Sequence, residues 1–158
     1  MNRAVARHAV VIILLRQGQV LLIQRATTLP RAGFWSPPTG KLEAGESYAQ
    51  AVEREAMEEL GLAVRALESL WQCDTDDGRF RLHWWLAAMN DADAEPTPAA
   101  AEVADWCWLA PQHFDSLSPT FPQHRQFFVE LLPRWLNRQP ASWPHSASVG
   151  RKAGGESG

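Results

Sequence analysis

Strand-like runs, one acidic helix, further strand-like runs and a closing helix predict an α/β/α sandwich around a mixed β-sheet. Three observations carry that prediction. β-Branched and aromatic runs are separated by glycine-bearing turns, a helix with its own start and stop signals lies between them, and an aromatic helical stretch ends the periodic pattern. At 158 residues the chain suits one domain with a substantial core, expected over residues 1–138, with a disordered tail over 139–158.

The elements follow in order. His8 to Leu15 and Gln19 to Arg25 read as antiparallel strands joined by Arg16-Gln17-Gly18, whose glycine supplies the positive φ of a tight hairpin. The apolar Ala9–Leu15 run is too short to cross a bilayer, and no cleavage site follows it. Ala26 to Pro38 reads as a loop broken by Pro30, Gly33, Pro37 and Pro38, with Trp35 either anchoring it or lining a site. Ser47 and Gln50 form a capping-box pattern and Gly61 a left-handed stop, so the helix runs from about 48 to 60. Val64–Cys73 and Arg79–Met89 are two strands joined through an Asp-Gly turn; in the second, Phe80, Leu82, Trp84 and Leu86 form the core face. The opposite face, with Arg79, Arg81, His83 and Trp85, either stacks a base and meets phosphate or is a solvated strand face. Asp91–Ala101 reads as a mobile connection, Val103–Leu109 as a last strand bearing Trp106 and Trp108, and Pro122–Asn137 as a helix kinked or shortened at Pro133.

On the first helix, Ala49, Val52, Ala56 and Leu60 share a stripe suited to burial against a sheet. Glu55, Glu58 and Glu59 occupy a neighbouring face, where carboxylates three and four residues apart repel one another. A solvated acidic face accounts for such a run taken alone. With the glycine-bearing loop Thr39-Gly40-Lys41 arriving beside it, the same face offers hard oxygen ligands, for which Mg²⁺ is the natural occupant and Mn²⁺ the alternative.

Seven residues from Gly40 to Gly61 stand at fixed spacing: Gly40, Glu46, Arg54, Glu55, Glu58, Glu59 and Gly61. Ordinary composition gives that coincidence a chance frequency on the order of one in a million. With Ala56 and Leu62 in the aliphatic places, the segment resembles the signature of the Nudix (MutT-like) hydrolases, and the likeness extends over about residues 7–138. The resemblance implies a Nudix-type α/β/α sandwich and a metal-dependent pyrophosphohydrolase acting on a nucleoside diphosphate linked to another group. It makes Glu55 and Glu59 direct metal ligands, Glu58 a third ligand or the base, and the Thr39 carbonyl a further ligand. Glu46 and Arg54 orient them, and Gly40 and Gly61 shape the motif. Glu102, ahead of the late strand, is an alternative base or a surface carboxylate, and Arg25, Arg81 and Trp35 are candidates to contact substrate. Many relatives have Pro-Gly-Gly where this chain has Pro38-Thr39-Gly40, which puts the loop's conformation in question, because threonine tolerates positive φ poorly.

A net charge of −3 and a pI near 5.9 argue against dedicated nucleic-acid binding and favour a small substrate, which the resemblance implies is a nucleotide. Cys73 and Cys107 are in no metal-ligand spacing and read as reduced interior thiols of a cytoplasmic protein. No membrane partner is expected, and a homodimer stays open. The signatures of ADP-ribose, dinucleoside polyphosphate, NADH and coenzyme A hydrolases are missing or incomplete, which leaves a nucleoside triphosphate, canonical or oxidised, as the favoured substrate. RNA-end hydrolysis and a non-catalytic nucleotide-binding module are the rivals.

Overall fold

The computed structural model describes residues 7–139. Contacts gather the described residues into two compact units, one containing residues 7–13 and Pro37–Ala100, the other Leu14–Ser36 and residues 101–139. Strand β1, Arg7–Arg16, contributes to both.

In the first unit, β1 is flanked by β4, Thr39–Lys41, and by β6, Phe80–Met89; β6 in turn pairs antiparallel with β5, Val64–Asp74. The Arg7 amide donates to the Arg79 carbonyl, so the starts of β1 and β6 meet and the two strands run the same way. β4 is antiparallel to β1, with Gly40 opposite Val10 and Thr39 opposite Val11. The sheet is therefore mixed. Ala9 to Leu14 are buried without alternation, as expected of a strand covered on both sides. The segment Thr39–Lys41, expected as loop, is thus a short strand, held because β1 offers it backbone partners. Helix α1, Tyr48–Leu60, packs on β4, β5 and β6. Its buried set is Ala51, Val52, Ala56, Glu59 and Leu60, whereas Ala49, expected in the stripe, is only half-buried.

The connection after β6, expected to be mobile, is tied down instead. Thr97 and Ala99 amides donate to the Leu60 and Glu59 carbonyls at 2.7 and 2.9 Å, and Pro96 is buried. These bonds satisfy carbonyls that a helix end leaves open.

The second unit is built on β2, Gln19–Arg25, which makes the expected hairpin with the end of β1 through Gln17 and Gly18, both at positive φ. β2 pairs along its length with β7, Val103–Leu109, and at its far end with a two-residue strand β3, Trp35–Ser36, inside the segment expected to be loop. A 3₁₀ turn, Pro111–Ser116, precedes α2, Pro122–Gln126, which continues through a π-helical turn, Phe127–Leu131, into α3, Leu132–Asn137. The irregular turn lies where Pro133 removes an amide and crowds the carbonyl four residues back, so the chain widens rather than breaks. Phe114, Phe127, Phe128 and Leu132 are buried here, and the Phe114 and Phe128 rings stack 4.8 Å apart. The tail expected from residue 139 lies beyond the described residues except for Gln139. Among the described residues no helix is long and apolar enough to cross a membrane.

Candidate active site

The ends of α1 are fixed by local chemistry. Ser47 accepts from the Gln50 amide at 3.1 Å, while the Gln50 side chain accepts from the Ser47 amide at 2.9 Å, completing the capping box. Gly61 closes the helix at φ 65°, and its amide donates to Met57 and Ala56 carbonyls. A side chain at Gly61 would run into the Thr97 hydroxyl.

Arg54 is the hub of the acidic face. Its Nε and Nη2 grip the two oxygens of Glu46 as a fork, its Nη1 donates to Glu55 at 2.9 Å and to Glu58 at 3.1 Å, and Nη2 also reaches the Lys41 carbonyl at 3.0 Å. One guanidinium thus offsets the repulsion of a row of carboxylates and pins the 41–46 loop to the helix. Glu46 also accepts from the Glu43 amide at 3.0 Å. The Arg54 guanidinium holds the Glu46 carboxyl below the usual carboxylate range, and Glu46 pushes the guanidinium's own pKa further up. An open cavity of about 370 Å³, lined by Glu43, Gly45, Glu46, Gln50 and Arg54, adjoins this knot.

Gly40 is required by its neighbour rather than by its φ. It is absent from the positive-φ glycines, but a Cβ built on it would lie 2.0 Å from Cδ and 2.1 Å from Cγ of Glu55. The strand leaves a cradle in which the Glu55 side chain lies. Glu59 is 8% exposed, at the margin of the buried stripe, whereas the Glu58 side chain is 60% exposed.

A NUDIX-domain family model matches residues 5–131. The chain belongs to the Nudix family. A CTP pyrophosphohydrolase of Escherichia coli K12 is 33% identical over 107 residues, covering 66% of this chain and 76% of that protein. An RNA pyrophosphohydrolase of Erythrobacter litoralis is 28% identical over 131 residues, covering 67% and 76% respectively. Among solved structures, a MutT NUDIX hydrolase from Burkholderia pseudomallei superposes with a TM-score of 0.68 at 27% identity, covering 81% of this chain and 99% of that one. The protein is accordingly a Nudix hydrolase, an enzyme of phosphorus-containing acid anhydrides, with the mixed-sheet α/β fold of its relatives.

Nudix enzymes work with divalent cations, and the donor set of α1 fits one: three carboxylates on one helix face, one of them nearly buried, beside a strand that clears space for Glu55. Among the described residues no three acidic, histidine or cysteine groups already converge in ligand geometry. Arg54 draws Glu55 and Glu58 toward itself, so a cation would have to compete for their oxygens. Thr39 lies in β4 and is not among the residues at positive φ, so its replacement of a glycine strains nothing; its hydroxyl donates to the Pro37 carbonyl at 3.0 Å.

The remaining Nudix candidates are placed as follows. In the second unit, the Glu102 side chain is exposed just before β7 and its carbonyl accepts from Ala26, while Arg25 donates from Nε to the Pro30 carbonyl at 2.8 Å. Trp35 is fixed in β3 with its amide on the Pro119 carbonyl. In the first unit, Arg81 is paired with Asp74 at 2.9 Å. His83, expected on an open face with Arg81, is instead buried against Tyr48, because α1 covers that side of β6. Reading the sequence missed Thr97 and the His8–His83–Tyr48 group, whose partners are far away in the chain.

Proposed function

We propose that the protein is a Mg²⁺-dependent pyrophosphohydrolase that cleaves a nucleoside triphosphate, canonical or oxidised, to a nucleoside monophosphate and pyrophosphate. The observation that supports this best is the α1 face itself, with Glu55 and Glu58 held by Arg54, Glu55 lying against Gly40, and Glu59 nearly buried on the same helix. Glu55 and Glu59 would hold the ion, with the carbonyl of Thr39, which precedes Gly40 in β4, as a further ligand. When bound, Mg²⁺ would neutralise phosphate oxygens and acidify a water molecule.

This chain's residues supply the rest. Water's oxygen bonds to phosphorus as the anhydride oxygen departs with pyrophosphate, and the water proton passes to a carboxylate. Glu58 is the candidate acceptor because its side chain is largely exposed, so it can meet solvent and substrate; Glu102 is the alternative. Arg54 keeps the glutamates in place between turnovers through its fork on Glu46. The CTP pyrophosphohydrolase relative agrees with a triphosphate substrate.

RNA-end hydrolysis has a relative in its favour. It calls for a path of uncommitted cations, yet Arg25, Arg54 and Arg81 each bind a protein acceptor. The test is a panel of canonical and oxidised nucleoside triphosphates, nucleotide sugars, ADP-ribose and 5′-triphosphate RNA, with products read by mass and Glu59→Gln as control. Release of pyrophosphate from a nucleoside triphosphate by the wild type alone is expected; turnover restricted to RNA or to nucleotide sugars would overturn the substrate assignment.

A further inference from the structure

Away from the carboxylates, the start of α1 rests on a group that the hydrolytic chemistry does not use. His8 of β1 and His83 of β6 bring Nδ1 and Nε2 to 2.9 Å, so one ring donates and the other accepts. Tyr48, the first residue of α1, stacks on His83 with centroids 4.0 Å apart and planes 23° apart, and its Oη lies 3.5 Å from His8 Nδ1. His83 is 4% exposed. Glu55, Glu58 and Glu59 are carried two to three turns further along the same rigid helix, so the seating of Tyr48 helps set where they stand.

We propose that His8, His83 and Tyr48 form a proton-operated seat for the first turn of α1, closed while at least one imidazole is neutral and released when both rings are protonated. A hydrogen bond between two imidazoles needs one acceptor nitrogen, and two imidazolium rings have none. Two adjacent positive charges also repel, beside a ring already removed from water. The charged and titratable groups facing His83 are His8 from β1, Tyr48 from α1, and Arg81 two residues away on β6 with its partner Asp74 on β5; the β5 residue opposite His83 is the uncharged Gln72. Burial, His8 and Arg81 all push the His83 ring toward its neutral form, in the same sense as the geometry.

The three residues are positioning residues, and their effect on turnover rests on the hydrolase reading while their titration does not. The first measurement is therefore the NMR titration of the imidazole nitrogens in the full-length wild-type protein between pH 8 and 4.5. Coupled titration of His8 and His83, with the Tyr48 ring signals shifting in step, is expected; two independent titrations that leave Tyr48 unmoved would overturn the seat. The second compares wild type with His83→Phe, which keeps a flat ring under Tyr48 but no titratable nitrogen. Wild-type kcat should fall more steeply with acid than that of the variant, by up to about tenfold per pH unit, the limit for one additional proton, while KM changes alike in both. Matching acid limbs would overturn the proposal; if the variant does not fold, the wild-type titration decides alone, and if no substrate is turned over, the hydrolase reading fails without touching it.

Discussion

Replacing Gly40 by alanine isolates the packing relation at the centre of the site. Gly40 is not at positive φ, so alanine brings no backbone penalty, only a methyl group that overlaps Cγ and Cδ of Glu55. Glu55 must leave its place. Doing so gives up its charge-assisted bond from Arg54 at 2.9 Å, worth about 1.5–3 kcal/mol, and puts it in a poorer rotamer at about 0.5–1.5 kcal/mol. The sum, roughly 2–4.5 kcal/mol against the native placement of the carboxylate, corresponds to a loss of about 30- to 2,000-fold in kcat/KM. With its side chain 17% exposed, Glu55 keeps some solvent on its bonds and the lower half of that range is expected. Global stability should fall much less, by about 1 kcal/mol, because the displaced side chain can swing outward. The assay is hydrolysis of the identified nucleotide over a series of Mg²⁺ concentrations, alongside thermal melting. Gly78→Ala is the matched control: that residue sits at φ 72° with nothing within 4 Å of an added Cβ, so it should lose stability through backbone strain and keep wild-type kinetics. Wild-type kcat/KM and Mg²⁺ dependence in Gly40→Ala would refute the cradle.

Other perturbations separate the remaining roles. Glu59→Gln should lose at least about 100-fold in turnover while melting at or above the wild-type temperature, since its carboxyl is nearly buried and the amide carries no charge; circular dichroism melts and kcat measured together check this. Glu46 has its pKa held below the ordinary 4.5 by Arg54, so its contribution to stability is present above that value and is lost as pH falls through the lower folded-state pKa. The melting temperature of Arg54→Gln should consequently fall less than that of the wild type between pH 5 and 3, and parallel curves would contradict the linkage. Glu102→Gln should flatten the acid limb of the pH-rate profile if that residue takes the water proton, and an unchanged profile would assign the task to Glu58.

Much of the acidic helix is legible in the sequence, because its ends are set by neighbours in the chain. The Ser47–Gln50 box and Gly61 bound α1 at Tyr48 and Leu60, as the local pattern predicts. The spacing of Glu46, Arg54, Glu55, Glu58 and Glu59 identifies the family, which the match over residues 5–131 shows independently. What escapes local reading is whatever depends on distant partners. Gly40 looks like a loop glycine until β1 pairs with it and Glu55 takes its side-chain space. Asp91–Ala101 looks mobile because alanine, proline and acids form no pattern of their own; its order comes from carbonyls at the end of α1. Alternation along β6 separates two faces but does not say which is covered, so His83 reads as open although Tyr48 lies on it. The π-helical turn ahead of Pro133 is a backbone accommodation that no side-chain periodicity encodes.

The central claim is that the acidic face of α1 is where a divalent cation meets a phosphoanhydride. The most direct test measures initial rate against free Mg²⁺ for wild type, Glu55→Gln and Glu59→Gln, each verified as folded. A saturable activation curve in the wild type, lost or displaced to much higher Mg²⁺ in both variants, is the predicted result. Metal-independent turnover, or wild-type activation curves in both variants, would contradict it.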